Sequence, residues 1–577
     1  MSSVAERHCE PLSPVDTLWA VVVAAVTLIV FGPFSTIGVD AYHDGFMFKP
    51  SLDVAFGQRL FLETESMYGA FTIYLHALAI RLLGPNVWAL KIDTLLSYAL
   101  YSGFIYWAWR SILPRSTALL AMVVWWLLPP FYYKFEGYGG HFFPWTSVHS
   151  LALQAVGLCL FLKAINEDKT QLWFWTGVIG QCVVWSRQPV GLVFFGAQTF
   201  TLLAMARHER SYKKVVQFFA GHAAFLSLFL AIHFAIGSFR QVFEQSFTQL
   251  IPWYKNYSPG NSFGAANIIR KIFSPHSFGW RAMGALFLAV LLPASFQSKK
   301  ISSIALISMM ALGLASLLSE GLAGRVHTEF QLSFQYGSRI AVLAIGVSLS
   351  IGLLLFSSKR LASLVVIFLS AIGALHQVVP WDDCHHIFWA ISLSIGPFLW
   401  MVITLSRNRA ITNTALLLIC LTVSLITLQK AIPRLQGFDE KGGERLVKLS
   451  YPSNLSGIWV ATSEAERWNR FAHTIEWGKT HGGTDRAVLI GIHALFLTTS
   501  PNLSNPGGHW AYRTYTDESH WLSSVEDTLR SRSALVLVDT NDPTPFVKER
   551  LGPEFGFSLV ETIPEWHLEI YSPVPRS

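Results

Sequence analysis

The chain has 577 residues, 52% of them hydrophobic and only 14% charged, with a mean hydropathy of +0.41. So few charges cannot solvate the surface of a soluble protein of this length, which excludes that class and leaves a membrane protein. The net charge of +7 sits in short basic clusters between apolar runs, the habit of inner loops in a polytopic protein rather than of a nucleic-acid-binding face.

The first apolar run, near 17–38, is too long for the core of a secretion signal and has no small-residue cleavage site, so it reads as a retained first span behind a cytoplasmic tail, 1–16. Runs long enough to span recur near 87–109, 116–133, 146–164, 171–187, 189–206, 217–236 and 279–297, then near 301–319, 339–357, 361–380, 386–405 and 410–430. Basic clusters at Arg110/Arg115, Lys163/Lys169, Arg207/Arg210/Lys213/Lys214, Lys299/Lys300, Lys359/Arg360 and Arg407/Arg409 should all be cytoplasmic. That holds only if the short stretch Met67–Gly84 lies along or dips into the outer face instead of crossing. The expected fold is an α-helical polytopic membrane protein of about 13 transmembrane helices over residues 17–430, with an outer loop at 39–86.

From 431 to 577 the composition turns polar, with Gly, Pro and Asn punctuation around apolar runs at Ala487–Ile492, Ala534–Val538 and Phe557–Val560. The run ending in Asp539-Thr540-Asn541-Asp542 reads as a buried strand feeding a loop, so a small extracytoplasmic α/β domain is expected. It carries no glycine-rich nucleotide loop. The five cysteines form no CxxC pair, which argues against a disulfide framework or structural zinc.

Chemistry concentrates at the expected outer rim. Asp40, His43 and Asp44 follow the first span, where ionisable groups beside hydrocarbon are costly unless they serve water, substrate or one another. They offer a general base for a hydroxyl nucleophile; the plainer reading is helix capping. Asp53 can orient a partner or cap a helix, and Glu63 and Glu65 are a second acid or merely the polar start of an interfacial segment. Asp382, Asp383, His385 and His386 crowd a helix start beyond what capping needs, which favours a ligand role. Arg187, in Arg187-Gln188-Pro189, interrupts a nearly continuous apolar stretch; its fork matches a phosphate, with snorkelling to headgroups as the alternative. Lys49, Arg325 and Arg339 are weaker phosphate candidates, and Trp253-Tyr254-Lys255 reads as interfacial anchoring. His76, His149, His222, His233 and His376 stand isolated in apolar runs and read as packed, hydrogen-bonded residues.

Taken in order, Asp40–Gly45 after the first span, Tyr68-Gly69…Leu82-Leu83-Gly84, Arg187-Gln188-Pro189-Val190-Gly191 and Asp383…His386 before an apolar helix resemble the GT-C membrane glycosyltransferases. The nearest in pattern are bacterial relatives of protein O-mannosyltransferases (glycosyltransferase family 39) and the aminoarabinose transferase acting on lipid A. The family often has Asp-Glu where this chain has His43-Asp44, which leaves open whether Asp40 or Asp44 is the base, and Ser66-Met67-Tyr68-Gly69 replaces a frequent Pro-Pro.

The resemblance implies inverting transfer of a sugar from a polyprenyl-phosphate donor to a lipid, glycan or protein hydroxyl on the outer face of the cytoplasmic membrane. In that reading Asp40, Asp44 and His43 are catalytic. Arg187, Asp383, His385, His386, Lys49, Glu65 and Arg339 bind donor phosphate or sugar. No cofactor is expected; a divalent metal at Asp40/Asp44 or Asp382/Asp383 is the less favoured option. A lipid-linked glycan ligase or polymerase is the nearest enzymatic alternative, and a transporter or flippase of envelope lipids the alternative from another class, though no inverted repeat is visible.

Overall fold

The computed structural model describes residues 13–132 without 42, 65 and 67, 141–248 without 168, scattered positions between 385 and 428, 431–482 without 440–442, 487–490, and 526–574 without 541–544. The runs expected to span from 279–297 to 361–380 lie outside the described residues, and those at 386–405 and 410–430 largely do.

The first helix, α1 (Pro14–Ser35), opens on a capping box in which the Ser13 N–H and hydroxyl donate to Asp16 at 2.8 and 2.9 Å. After the short helices α2 (His43–Ala55) and α3 (Ala70–Leu83), α4 (Val87–Arg110) starts where the Asn86 side chain accepts the Trp88 N–H at 2.7 Å. Next come α5 (Arg115–Trp126), α6 (Thr146–Glu167), α7 (Thr170–Ser186), α8 (Gln188–Glu209), α9 (Lys213–Ala235) and a single short turn, α10 (Phe239–Phe243). Four of these, α1, α6, α8 and α9, are long and apolar enough to cross a membrane, and the pair α3 and α4, bent by 119°, makes a fifth if counted together. The chain is a multi-pass membrane protein. The expected span at 116–133 is a 12-residue helix, α5, because Pro129-Pro130 stop it one turn after Trp126.

In the bundle α4 packs between α1 and α6, and α7 packs between α6 and α9. The close approach of α7 to α9 rests on two glycines: a Cβ at Gly177 would stand 2.0 Å from the Phe218 carbonyl oxygen, and one at Gly221 would stand 1.9 Å from that of Phe174. Small residues at such a crossing let backbones meet where lipid supplies no hydrophobic drive.

Side-chain pairs fix which helix ends share a face. At one end the Asp16 carboxylate accepts from Arg110 and Arg115, each at 3.0 Å, so the start of α1 lies beside the end of α4. Lys163 and Lys169 flank Glu167 between α6 and α7, and Lys214 at the start of α9 stands 6.0 Å over the Trp173 ring near the start of α7. At the opposite end Lys91, at the start of α4, donates to the Gly38 carbonyl at 2.6 Å, just after α1. The chain between Gly38 and Lys91 therefore leaves and re-enters the bundle at the same face, with α3 inside that excursion. The described basic clusters fall at one end of the bundle and the Asp40 loop at the other.

Asp16 and Arg110 are wholly buried. Removing one partner of such a pair strands the other charge, so Asp16→Ala is expected to destabilise the protein by about 3–5 kcal/mol. The check is denaturant unfolding in detergent, where Arg115→Ala, whose side chain is 36% exposed, should cost far less.

Toward the C-terminus a short antiparallel pair, β1 (Leu446–Lys448) and β2 (Trp459–Ala461), precedes α11 (Thr462–Gly482). A mixed sheet of β3 (Ala487–Ile490), β4 (Leu535–Asp539), β5 (Phe557–Ile563) and β6 (Leu568–Pro573) has the order β3-β4-β6-β5, with β3 and β4 parallel and the other neighbours antiparallel. The short helix α12 (Pro545–Leu551) lies between β4 and β5 in the chain. The β1–β2 segment docks on the Asp40 end of the bundle: the Trp459 N–H donates to the Thr36 carbonyl at 2.8 Å and the Gly38 N–H to the Trp459 carbonyl at 2.7 Å. Asn86 adds donations to the Ser453 and Ser456 carbonyls at 3.0 and 2.8 Å.

Candidate functional site

The loop leaving α1 is clamped before it reaches its acidic residues. Gly38 has φ +78°, a left-handed conformation that favours glycine, and a Cβ there would stand 2.1 Å from the His141 Nδ1. With its N–H on Trp459 and its carbonyl on Lys91, Gly38 aims the following residues along the rim.

Asp40 both caps and pairs. Its Oδ1 accepts the His43 backbone N–H at 2.6 Å at the start of α2, and lies 3.0 Å from the His43 Nδ1. The capping reading is thus correct and incomplete. The Asp40 side chain keeps 24% exposure and that of His43 keeps 18%. Burial pushes the Asp40 carboxyl up, but His43 and then His141 outweigh it and hold the group well below the usual carboxylate range.

Asp44 is different in kind. It is fully buried, accepts the Asp40 N–H on Oδ2 at 3.0 Å, and faces the equally buried Lys91 ammonium at 3.3 Å. Its Oδ1 has no hydrogen-bond partner among the described residues. Burial raises its pKa against the pull of Lys91. Two adjacent carboxylates are pushed apart by their surroundings, one open and anionic, the other sealed against a lysine; such divergence separates a reacting group from a positioning one.

Aromatic residues enclose the open carboxylate. The His43 ring lies 4.6 Å from Phe143 and 5.1 Å from Trp145, and Phe143 lies 4.3 Å from His385. The His385 Nε2 is 3.3 Å from the His141 carbonyl oxygen. The structure therefore brings His385, from far along the chain, to the wall of the Asp40–His43 site. Arg187 lies at the extended break between α7 and α8, 6% exposed. That break is seated by Ser186, whose hydroxyl is 2.9 Å from that of Thr72, and by Gly69, where a Cβ would stand 1.8 Å from the Trp185 carbonyl oxygen. Tyr68, next in the chain, lies 5.0 Å from Trp145, so the segment that seats the Arg187 break also reaches the aromatic group beside the His43 ring.

Other candidates fare differently. Lys49 is buried and paired with Asp53 at 2.5 Å, one helical turn on, and Asp53 also accepts from Thr64 at 2.9 Å, so the lysine's charge is answered within its own loop. Glu63 forms an exposed pair with Arg59 at 2.7 Å, the plain surface reading. Glu65, Arg325, Arg339, Asp382, Asp383 and His386 lie outside the described residues.

Sequence reasoning missed Lys91 and His141, and it missed Asp93, which lies between His76 and His149. Among the described residues, that trio on α3, α4 and α6 is the group with metal-ligand chemistry. The signal available was two charges, Lys91 and Asp93, inside an apolar run.

No family model and no curated protein matches the chain. Among solved structures it is similar to ArnT from Cupriavidus metallidurans bound to undecaprenyl phosphate, at 11% identity and a TM-score of 0.42, covering 97% of this chain and 100% of that one. It is also similar to an oligosaccharyltransferase from Archaeoglobus fulgidus, solved with zinc and sulfate, at 13% identity and a TM-score of 0.49, covering 96% of this chain and 72% of that one. Both are membrane glycosyltransferases of the GT-C class, the class that the sequence resembles.

Proposed function

We propose that this chain is an inverting membrane glycosyltransferase that moves a sugar from a polyprenyl-phosphate donor to a hydroxyl acceptor at the membrane face opposite its basic loops. That face is the outer one of the cytoplasmic membrane, with the N-terminus inside and residues 431–577 outside as an α/β domain over the rim. The observation that carries this reading is the pairing of a partly exposed, anionic Asp40 with His43 inside an aromatic wall that includes His385.

In the proposed reaction the acceptor hydroxyl attacks the anomeric carbon, its proton passes to Asp40, and the bond from that carbon to the phosphate oxygen breaks with its electron pair on the phosphate. His43 holds the carboxylate in place. Arg187 and His385 face the charge that grows on the departing phosphate, where oriented cations and donors act most strongly. Asp44 and Lys91, sealed from solvent, position the loop and do not react.

Lipid-linked glycans and envelope glycolipids of a deletion strain test this, with the wild-type, Asp40→Asn and Asp44→Asn chains restored in turn. Expected is loss of one glycosylated product, recovered by the wild type and not by Asp40→Asn. Normal product from Asp40→Asn would remove the proposed base.

A further inference from the structure

A second polar centre is built from α3, α4 and α6 and shares no residue with the reacting loop. His76 of α3 is fully buried, His149 of α6 is 2% exposed, and Asp93 of α4 stands between them with its side chain 17% exposed. The His76 Nδ1 lies 2.8 Å, and the His149 Nε2 2.9 Å, from the same oxygen, Asp93 Oδ2. The two rings meet edge to face with centroids 4.8 Å apart.

Proton accounting makes this arrangement informative. The His76 Nε2 is 3.1 Å from the Pro144 carbonyl, which only accepts, so that nitrogen carries the hydrogen. In the neutral ring Nδ1 then presents a lone pair, and it presents it to a carboxylate oxygen. At 2.8 Å the two atoms are close, yet the His76 Nδ1 makes no hydrogen bond of acceptable geometry. Two lone pairs that converge on one spot need a shared cation. A histidine whose other ring nitrogen donates to a backbone carbonyl is the usual outer support of a metal-ligating imidazole.

We propose that His76 Nδ1, His149 Nε2 and Asp93 Oδ2 hold a divalent transition metal of the zinc class. Two imidazoles and one carboxylate suit zinc and its neighbours and leave a further position for water. Zinc bonds of about 2.0–2.1 Å would space the ligands by roughly 3.3 Å, so on loading the two imidazole nitrogens, within 4.8 Å of one another, draw together while Asp93 moves out by about half an ångström. The ion then ties α3 to α4 and α6, on the turn of α4 that also carries Lys91. The site uses no residue of the acidic loop, and its test does not depend on the glycosyl-transfer reading.

The full chain, purified in detergent on a tag without histidines, is assayed for metal by mass spectrometry, then stripped with chelator and reloaded with Co²⁺. Expected are one zinc per chain, visible ligand-field bands on Co²⁺ loading, and a thermal midpoint that rises with Zn²⁺ over the chelated form. His76→Gln and His149→Gln should lower retained zinc by about tenfold or more, whereas His222→Gln, at another buried histidine, should not. Should the ligand variants fail to fold, the wild-type Co²⁺ spectrum and midpoint decide alone. Metal-free wild type with no Co²⁺ bands, which would mean a protonated His76 paired with Asp93, overturns the proposal, as does undiminished zinc in folded His76→Gln and His149→Gln.

Discussion

Asp40→Asn is expected to lower transfer by about 10²–10⁴-fold, the usual contribution of a general base, with little change in thermal midpoint. The amide oxygen can still accept the His43 N–H that starts α2, so the cap survives while the negative charge is lost. The loss should fall on kcat more than on KM, because a proton acceptor acts in the transition state and contributes little to ground-state binding. His43→Gln should cost less than Asp40→Asn, since it removes a support of the carboxylate and leaves the carboxylate itself. Because His43 and His141 hold Asp40 below the ordinary carboxylate range, activity should persist as pH falls through that range and fail only when Asp40 takes up a proton. An acid limb at ordinary carboxylate pKa would place the base elsewhere.

Lys91→Met is expected to carry the largest stability cost at this face. It leaves Asp44 buried without its cation, a change that costs about 3–5 kcal/mol when one partner of a sealed pair is removed. Adding Asp44→Asn should restore most of that loss, and the cycle of two single variants and the double measures the coupling. The deficit also depends on pH, with a sign that can be stated in advance. Burial raises the Asp44 pKa above its unfolded value, so the folded state binds the proton more tightly. The Lys91→Met protein should therefore gain stability as pH falls through the folded Asp44 pKa, and lose it again as pH rises. Denaturant midpoints at acidic and neutral pH check this; equal deficits at both would mean that Asp44 was never charged against Lys91.

Much of the architecture was legible from local signals. The basic clusters were placed on one face, and the described helix ends sort that way through Asp16, Arg110 and Arg115 at one end and Lys91 at the other. The run ending in Asp539 reads as a buried strand and is β4, and β3 and β5 lie in the other two apolar runs of the polar tail; β6 was missed because Leu568–Pro573 is broken by Glu569 and ends on Pro573. The Asp40–Gly45 loop was legible because charges next to a span are expensive and therefore conspicuous.

The partners were not legible. Lys91, Asp93, His76 and His149 are single polar residues in apolar runs, and which of them meet is decided by helix neighbours distant in sequence. Nothing local separates a packed histidine from one turned toward an aspartate on the next helix. His141 was overlooked for a related reason: its closeness to Asp40 depends on Gly38, a residue whose role is only the space that it leaves open. The two acids four positions apart looked equivalent on paper and differ because one faces solvent and the other faces Lys91.

The central claim, that the carrier phosphate enters beside Asp40 and His385, is tested most directly by photo-crosslinking with a polyprenyl phosphate that bears a diazirine next to the phosphate. On the purified protein, saturable labelling is expected in peptides containing residues 38–48, 141–146 or 385–389, and unlabelled polyprenyl phosphate should compete it away. Labelling confined to the Arg110–Arg115 end of the bundle, or labelling that excess carrier does not reduce, would contradict a donor site at the acidic rim.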